Sequence, residues 1–501
     1  MTSSNRWLVL AIVSSALFLI VVDITVLYTA LPRLTHDLQA TASEKLWIVN
    51  AYPLVVAGLL PGFGTLGDRL GHKRLFLAGL VVFGLASLIA AYSPSPAVLI
   101  GARVLLAAGA ALMMPATLSI IRLTFTDEGE RAFAIGIWAA VASGGAAFGP
   151  VLGGLLLEYY WWGSVFLINV PVVMVAFVAG LVMLPNRRGS SERGWDLIGS
   201  VQAMIGLVGI AYAIKEMGKR LPSWEAALVA LIVGVAAMAL FVRRQRRSAA
   251  PLIDFGLFRN SRFSSGVAAA TAASAALVGF ELVFSQRLQL VLGLSPLQAG
   301  LLILPIPLAS FFAGPIAGLL LPRLGAGRVM SSALAMAGLG LTAFLATYHA
   351  ASFVWVSALA MMGFGIGGAM SAASTAVMTS APEDRAGMAA SVEEVSYELG
   401  GAIGIAVLGS IMSAIYTAAL VMPDGLGIPA AARDSLDEAL LAAEALAPDA
   451  ASAVTALARA AFDRAFEGVI VAAAALLFAG AAAIAFVDRT RPHTRAVRSG
   501  Y

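Results

Sequence analysis

Fourteen apolar runs of about 18–25 residues, separated by short polar segments, leave this chain few ways to fold. They lie at 7–30, 46–66, 74–93, 97–120, 133–156, 164–184, 197–214, 225–242, 264–290, 297–320, 328–347, 352–378, 387–416 and 466–486. Each is long enough for an α-helix to cross the roughly 30 Å hydrocarbon core of a bilayer. The expected fold class is an all-α polytopic membrane protein with fourteen transmembrane helices. Composition agrees: 60% of the 501 residues are hydrophobic, 12% are charged and the mean hydropathy is +0.90. Soluble domains carry about 25% charged residues. The first run follows Arg6, ends at Asp23 and is not followed by a small-x-small cleavage site, so it reads as an uncleaved span.

The basic residues set an orientation. If the spans alternate sides, twenty-two of the 32 Lys and Arg fall on the side of the N-terminus and nine on the other, with Arg103 inside a span. That bias places both ends in the cytoplasm, and the expected location is the bacterial inner membrane. Basic residues scattered between apolar runs report topology and not nucleic-acid binding. There is no cysteine, and none of the four histidines (His36, His72, His349, His493) stands at metal-ligand spacing from another. Disulfides, thiolate chemistry, metals and other cofactors are not expected. No phosphate-binding Gly-Lys-Ser/Thr loop and no nucleophile–base pair occurs, which argues against an ATP-driven pump and an enzyme.

An internal repeat divides the chain. Gly64-Thr-Leu-Gly-Asp-Arg-Leu-Gly-His-Lys-Arg74 returns in worn form as Gly318-Leu-Leu-Leu-Pro-Arg-Leu-Gly-Ala-Gly-Arg328, 254 residues later. Gly145-x-x-x-Gly149 returns as Gly400-x-x-x-Gly404, 255 residues later. The shared offset predicts a six-helix bundle over 1–190, two inserted helices with a basic loop over 191–262, and a second six-helix bundle over 263–501. Parallel halves around a midplane site suit alternating access. The outer loop, expected at 417–464, is acidic and includes a surface helix after Asp434; it reads as a solvated cap or as a collar that gathers cations.

Charges inside spans are costly and normally face a cavity or a partner. Asp23 and Arg103 form the obvious opposite pair, either a static bond between spans one and four or a proton site whose environment switches. Glu281 lies well inside span nine near the apparent repeat equivalent of Asp23, with Arg287 the only cation in sight. On span thirteen, Glu394 and Glu398 share a helix face and Glu393 points about 100° away. Glu398 lies deeper, whereas Glu393 and Glu394 fit either a site near the mouth or a solvated first turn. Trp47, Trp161 and Trp162, near span ends, read as interface anchors. Methionines such as Met113 and Met362 read as core, lipid-facing or cavity-lining.

Several motifs carry a resemblance. The segment with Gly64, Asp68, Arg69, Gly71 and Arg74 is similar to the loop-two signature of the major facilitator superfamily, which stabilises one conformation and assists gating. Asp68 there caps span three or faces the N-terminus of another helix. Gly145, Gly149, Pro150, Gly153 and Gly154 resemble the antiporter signature of drug-efflux members. Val22-Asp-Ile-Thr-Val-Leu-Tyr-Thr-Ala-Leu-Pro32 resembles the span-one signature of fourteen-span drug:proton antiporters, with Tyr28 where Asn is common. Arg103 matches the span-four arginine, with Ala108 replacing the usual Gln. Glu44-Lys-Leu-Trp-Ile-Val-Asn-Ala-Tyr52 and Trp161-Trp-Gly-Ser-Val-Phe-Leu-Ile-Asn-Val-Pro171 extend the resemblance to bacterial quaternary ammonium and methyl viologen efflux pumps.

The resemblance implies a major facilitator fold and export of lipophilic cations (quaternary ammonium compounds, dyes, biguanide or bis-cationic antiseptics) in exchange for protons, by a monomer. Asp23, Glu281 and Glu398 are the leading carboxylates, then Glu394 and Glu393. A symporter or exporter of a metabolite, or a non-transporting membrane receptor, is the alternative.

Overall fold

In hydrocarbon no water answers backbone N–H and C=O groups, so each span must satisfy its own, and the helix does so. A computed structural model describes residues 3–40, 42–186, 196–217, 223–248, 251–349, 352–421, 436–444 and 446–489, and every element among them is helical. The helices are α1 (Ser3–Asp37), α2 (Ala42–Leu70), α3 (His72–Ala91), α4 (Pro96–Thr124), α5 (Glu128–Tyr159) and α6 (Asn169–Met183), the last entered through a turn at Ser164–Leu167. Next come α7 (Leu197–Met217), α8 (Trp224–Gln245) and α9 (Ser261–Gln286), which continues as a π-turn over Arg287–Val291. Pro296–Ile303 leads into α10 (Pro305–Leu324), followed by α11 (Ala326–Thr347), α12 (Ser352–Ser380) and α13 (Ala386–Ala419). A surface helix, Leu436–Glu444, precedes α14 (Pro448–Arg489).

Thirteen of these segments are long and apolar enough to cross a membrane, and α7 contributes a shorter apolar stretch, Ile198–Ile214. Local chemistry marks the breaks. Ser95 and Asp127 accept from the amides of Val98 and Glu130 at the starts of α4 and α5. Ser295 and Gln298 close a reciprocal capping box with Pro296 at the first helical position.

The repeat survives in backbone detail. Gly71 (φ 95°) and Gly325 (φ 81°) each precede a helix, in the left-handed region that favours glycine. A Cβ on Gly145 or Gly149 would meet Val21 or Thr25 of α1. On Gly400 or Gly404 it would meet Thr271 or Ala275 of α9. The Gly-x-x-x-Gly seams therefore set the first helix of each half into the fifth. This packing aligns Thr25 with Ala275, hence Asp23 with Ala273. Glu281 thus stands eight residues, about 12 Å, further along its helix than the sequence offset suggested. The loops between repeats differ in length, and the glycine seams give the true register.

Helices α1–α6 pack as one group and α9–α14 as another, each with its own apolar core. The groups meet at the face where α1 begins and α14 ends, called here the basic face. Gly64 of α2 lies against Gly387 and Ser391 of α13, and Gly136 of α5 against Gly314 of α10. Arg122 donates to the Ala381 carbonyl across the same seam. Val377, Met378, Ala381, Ala386, Ala389 and Ala390 of the second half join the core of the first there. These contacts lie in the basic-face half of the helices and close the molecule at that end, while α5 also runs beside Phe311 of α10 and the Pro296–Ile303 helix further from it. Of the inserted pair, α7 packs on α2 and the edge of α13, and α8 packs chiefly on α7.

Two expectations need correction. The outer segment placed at 417–464 is helical from Pro448 onward, because Val454, Ala458, Ala461, Phe462 and Ala465 form a buried stripe continuous with the last span. Residues 422–435, with Asp424 and Asp434, lie outside the described residues. Trp162 is buried in the first core, whereas Trp47 and Trp161 remain exposed near span ends.

Ser391 is fully buried in the closed seam, and the chain has no native thiol. In a Ser391→Cys protein, adding Gly136→Val forces side-chain atoms into the α5–α10 contact. Overpacking of this kind costs about 1–3 kcal/mol. Maleimide labelling of the single introduced thiol in detergent should accelerate by about tenfold or more; an unchanged rate refutes the assignment of Gly136 to the closing seam.

Candidate functional site

A carboxylate and a guanidinium buried in hydrocarbon must meet, because each alone is prohibitively placed. Asp23 (0% exposed) and Arg103 (1%) do so, with Arg103 Nη1 2.7 Å from Asp23 Oδ2. The second carboxylate oxygen accepts from Asn169 Nδ2 at 2.9 Å, and the same amide lies 3.2 Å from Ser87 Oγ. Arg103 Nε donates to the Ile48 carbonyl at 3.4 Å, and its guanidinium carbon stands 4.5 Å from the Tyr52 ring centre. Five helices, α1, α2, α3, α4 and α6, thus converge on one ion pair. Cation–π contact with Tyr52 adds to its hold on the arginine. The Tyr52 hydroxyl is buried and has no hydrogen-bond partner among the described residues.

A second group lies on α13. Glu393 (0% exposed) and Glu394 (5%) are buried in its second and third turns, so neither is a solvated helix start. Tyr397 Oη donates to Glu393 Oε1 at 3.0 Å. Glu393 Oε2 and Glu394 Oε1 have no hydrogen-bond partner among the described residues, and neither carboxyl forms an ion pair there. Glu398 is half-buried and close enough to both Glu394 and Tyr52 to interact with them electrostatically. Tyr52 therefore lies within range of Arg103 in its own half and of Glu398 in the other.

Glu281 is half-buried on α9 with no ion-pair or hydrogen-bond partner among the described residues. The cation expected beside it is engaged elsewhere: Arg287 Nε binds Asp463 Oδ1 at 2.8 Å and stacks over Tyr348 and Phe466. The site residues therefore fall into one neutralised pair, Asp23–Arg103, and a set of acids in the second half that includes Glu281, Glu393 and Glu394.

The third feature sits at the basic face. Asp68 accepts from the amides of Gly387 at 2.9 Å and Met388 at 3.1 Å, the first turn of α13. Of the two expected roles, the structure assigns it the N-terminus of another helix, where charge and dipole attract. His72 Nε2 approaches the same carboxylate at 3.3 Å. Gly71 makes the turn, while Arg69 is half-buried and Arg74 exposed. In the α5 motif, Gly145, Gly149 and Gly153 face α1, and Gly154 faces open space. The side chains of Pro150 and Tyr28 lie outside what is described.

The comparisons with known proteins bear on what this arrangement serves. The model of the Major Facilitator Superfamily matches residues 13–405. The chain belongs to the major facilitator superfamily. It is 42% identical over 466 residues to "Methyl viologen resistance protein SmvA" of Salmonella typhimurium, covering 91% of this chain and 93% of that one. It is 38% identical over 491 residues to "Multidrug efflux pump LfrA" of Mycolicibacterium smegmatis, covering 97% of each. The human organic anion transporter MFSD10 shares the fold, with a TM-score of 0.61 over 94% of this chain and 99% of that one, at 14% identity. The chain is thus a multi-pass membrane protein of a transporter family, and its relatives of high identity are drug-efflux pumps.

Within this superfamily member, sequence reasoning found both charges of the pair but missed Tyr52, Ser87 and Asn169. Tyr52 and Asn169 lie in stretches that carried the resemblance, yet a neutral polar residue in an apolar run has no signature of its own. Tyr397 was missed for the same reason.

Neutralising one member of the pair strands the other. Asp23→Asn and Arg103→Gln should each lower stability in detergent by about 3–5 kcal/mol. The double variant should recover a substantial part, since no unpaired charge remains. Thermal unfolding of the four proteins measures the coupling, and purely additive losses contradict a direct bond. Asn169→Ala should cost less, about 1–3 kcal/mol.

Proposed function

We propose that this chain is a proton-coupled antiporter that exports lipophilic cations by alternating access. It does so from a bacterial inner membrane, with the basic face and both termini in the cytoplasm. The observation that carries the reading is the surplus of carboxylates inside the second half. Glu281, Glu393 and Glu394 lack a basic partner among the described residues, whereas Asp23 has one. An unpartnered carboxylate in hydrocarbon takes a proton or a cation. Mutually exclusive occupancy by the two is sufficient for antiport. The names of the relatives support a cationic substrate, since methyl viologen is a bis-quaternary dication.

The closed basic face corresponds on this reading to an outward-facing state, in which drug has left and protons arrive. Asp68 on the α13 N-terminus and the Gly64–Gly387 contact hold that state. Exchange of one proton for a monocation is electroneutral and draws on the pH gradient, about 1.4 kcal/mol per unit. Every further proton adds the membrane potential, about 2.3 kcal/mol per 100 mV per charge. A dication requires two titrating acids for electroneutral exchange, and Asp23 and Glu281 are the first pair, with Glu398, Glu394 and Glu393 close to the same path. The monomer contains all of these groups and suffices for the cycle.

Inside-out vesicles carrying a pH gradient test the reading. Ethidium or a bis-quaternary cation should release protons through the wild type. Glu281→Gln, Glu393→Gln and Glu394→Gln should each reduce that release by about tenfold or more while leaving the folded amount unchanged. A wild type that responds only to a neutral or anionic solute would sink the cation assignment and favour a metabolite exporter.

Asp68→Asn keeps the side-chain shape but removes the charge, and one of the two acceptors, from the α13 N-terminus. A charge–dipole contact in a partly buried setting contributes up to about 2 kcal/mol. Its loss should slow transport several-fold and leave unfolding of each half nearly unchanged; equal transport by the variant contradicts the gating role.

A further inference from the structure

The inserted helices carry a feature that neither the ion pair nor the acids use. An open groove runs along α8, lined by Val235, Met238, Val242, Arg243, Arg246 and Arg247. Its outer part is apolar and its basic-face end is ringed by three exposed arginines. None of the three has an ion-pair partner among the described residues. The fourth arginine of the run is turned away: Arg244 Nε bonds both oxygens of Asp196, at 2.7 and 2.9 Å. Gln245 donates to the same carboxylate at 3.2 Å and accepts from the Leu252 amide, which fixes the end of α8 against α7. Burial alone would raise the Asp196 carboxyl, but Arg244, the Gly199 amide and Gln245 together hold it below its ordinary value. It therefore stays charged and committed to Arg244.

Orientation in the membrane explains why arginines gather at this face. It places no demand on where they stand around the helix. Positions 243, 246 and 247 are spaced to share one face. That face continues the stripe Val235, Met238 and Val242, and the whole extends about 16 Å along α8 from Val235 to Arg246. Apolar lining at membrane depth with unpaired guanidinium groups at its interfacial end matches one ligand chemistry: a phosphodiester headgroup joined to acyl chains. We propose that this groove binds an anionic phospholipid, with Arg243, Arg246 and Arg247 on the headgroup phosphate and an acyl chain along the α8 stripe. Through α7, which packs on α2 and α13, the bound lipid braces the closing seam from outside.

The test uses the full-length protein in detergent. Cardiolipin, phosphatidylglycerol, phosphatidylcholine and inorganic phosphate are titrated separately, with retained lipid read by native mass spectrometry and stability by thermal unfolding. Cardiolipin or phosphatidylglycerol should bind at least about tenfold more tightly than phosphatidylcholine. The triple variant Arg243→Gln, Arg246→Gln, Arg247→Gln should lose that preference. Val235→Trp, which fills the apolar part and keeps the arginines, should weaken anionic-lipid binding as well. Arg259→Gln with Arg262→Gln, exposed outside the groove, should leave it intact. Equal binding of phosphatidylcholine, equal loss in the Arg259/Arg262 control, or binding that inorganic phosphate abolishes and Val235→Trp leaves unchanged would each overturn the proposal.

Discussion

The ion pair between Asp23 and Arg103 organises the first half of the molecule. Each group alone in hydrocarbon would be too costly to keep, so the helices that carry them are bound to one another more firmly than apolar packing alone achieves in lipid. Its remaining valences recruit the neighbours: Asn169 from α6 with Ser87 from α3, and the Ile48 carbonyl and Tyr52 ring from α2. Removing one charge leaves a network in which every other member has lost its reason for position.

The second half lacks such a pair at the corresponding place, where the glycine seams put Ala273. Its core is held instead by stacked and edge-on rings, Phe280, Phe284, Phe344 and Phe466, with Arg287 and Asp463 closing the end away from the basic face. Dispersion between rings tolerates small displacements better than a 2.7 Å charged hydrogen bond does. The half built on aromatic packing is also the half that keeps carboxylates without cations. A rigid, neutralised bundle beside a more adaptable, acidic one is a division of labour that twofold symmetry alone would not produce.

Much of this was legible in the residues. Fourteen apolar runs gave the helices, and the two offsets near 254 gave the repeat, which the positive φ of Gly71 and Gly325 preserves. Asp23 and Arg103 announced each other because a charge inside a span needs a cavity or an opposite charge beside it. Register was not legible. Glu281 matched Asp23 only by counting along loops of unequal length, whereas glycine-against-helix contacts set the alignment in space. Burial of Glu393 and Glu394 was also hidden. Their sequence reads equally as a solvated helix start, and it is the packing of neighbouring helices on α13, with α2 closing over its start through Gly64 and Gly387, that buries that turn. The partners Ser87, Asn169 and Tyr52 needed three dimensions because neutral polar side chains declare no partner.

The helix α13 joins these observations. Its first turn is capped by Asp68 of the other half, and Glu393 follows Gly387 by six residues, about 9 Å along the axis. The capped amides carry the positive end of the helix dipole toward Asp68, and the carboxylates lie on the same rigid rod. Charge on Glu393 or Glu394 opposes Asp68 through that short distance in a medium of low dielectric constant. Protonation, or a bound cation, relieves that opposition, and ionisation restores it. The Asp68 contact and the acids are therefore not separate modules that need a long pathway between them. They are two loads on one helix, and a charge gained or lost at the acids is felt at the Asp68 contact through that helix alone.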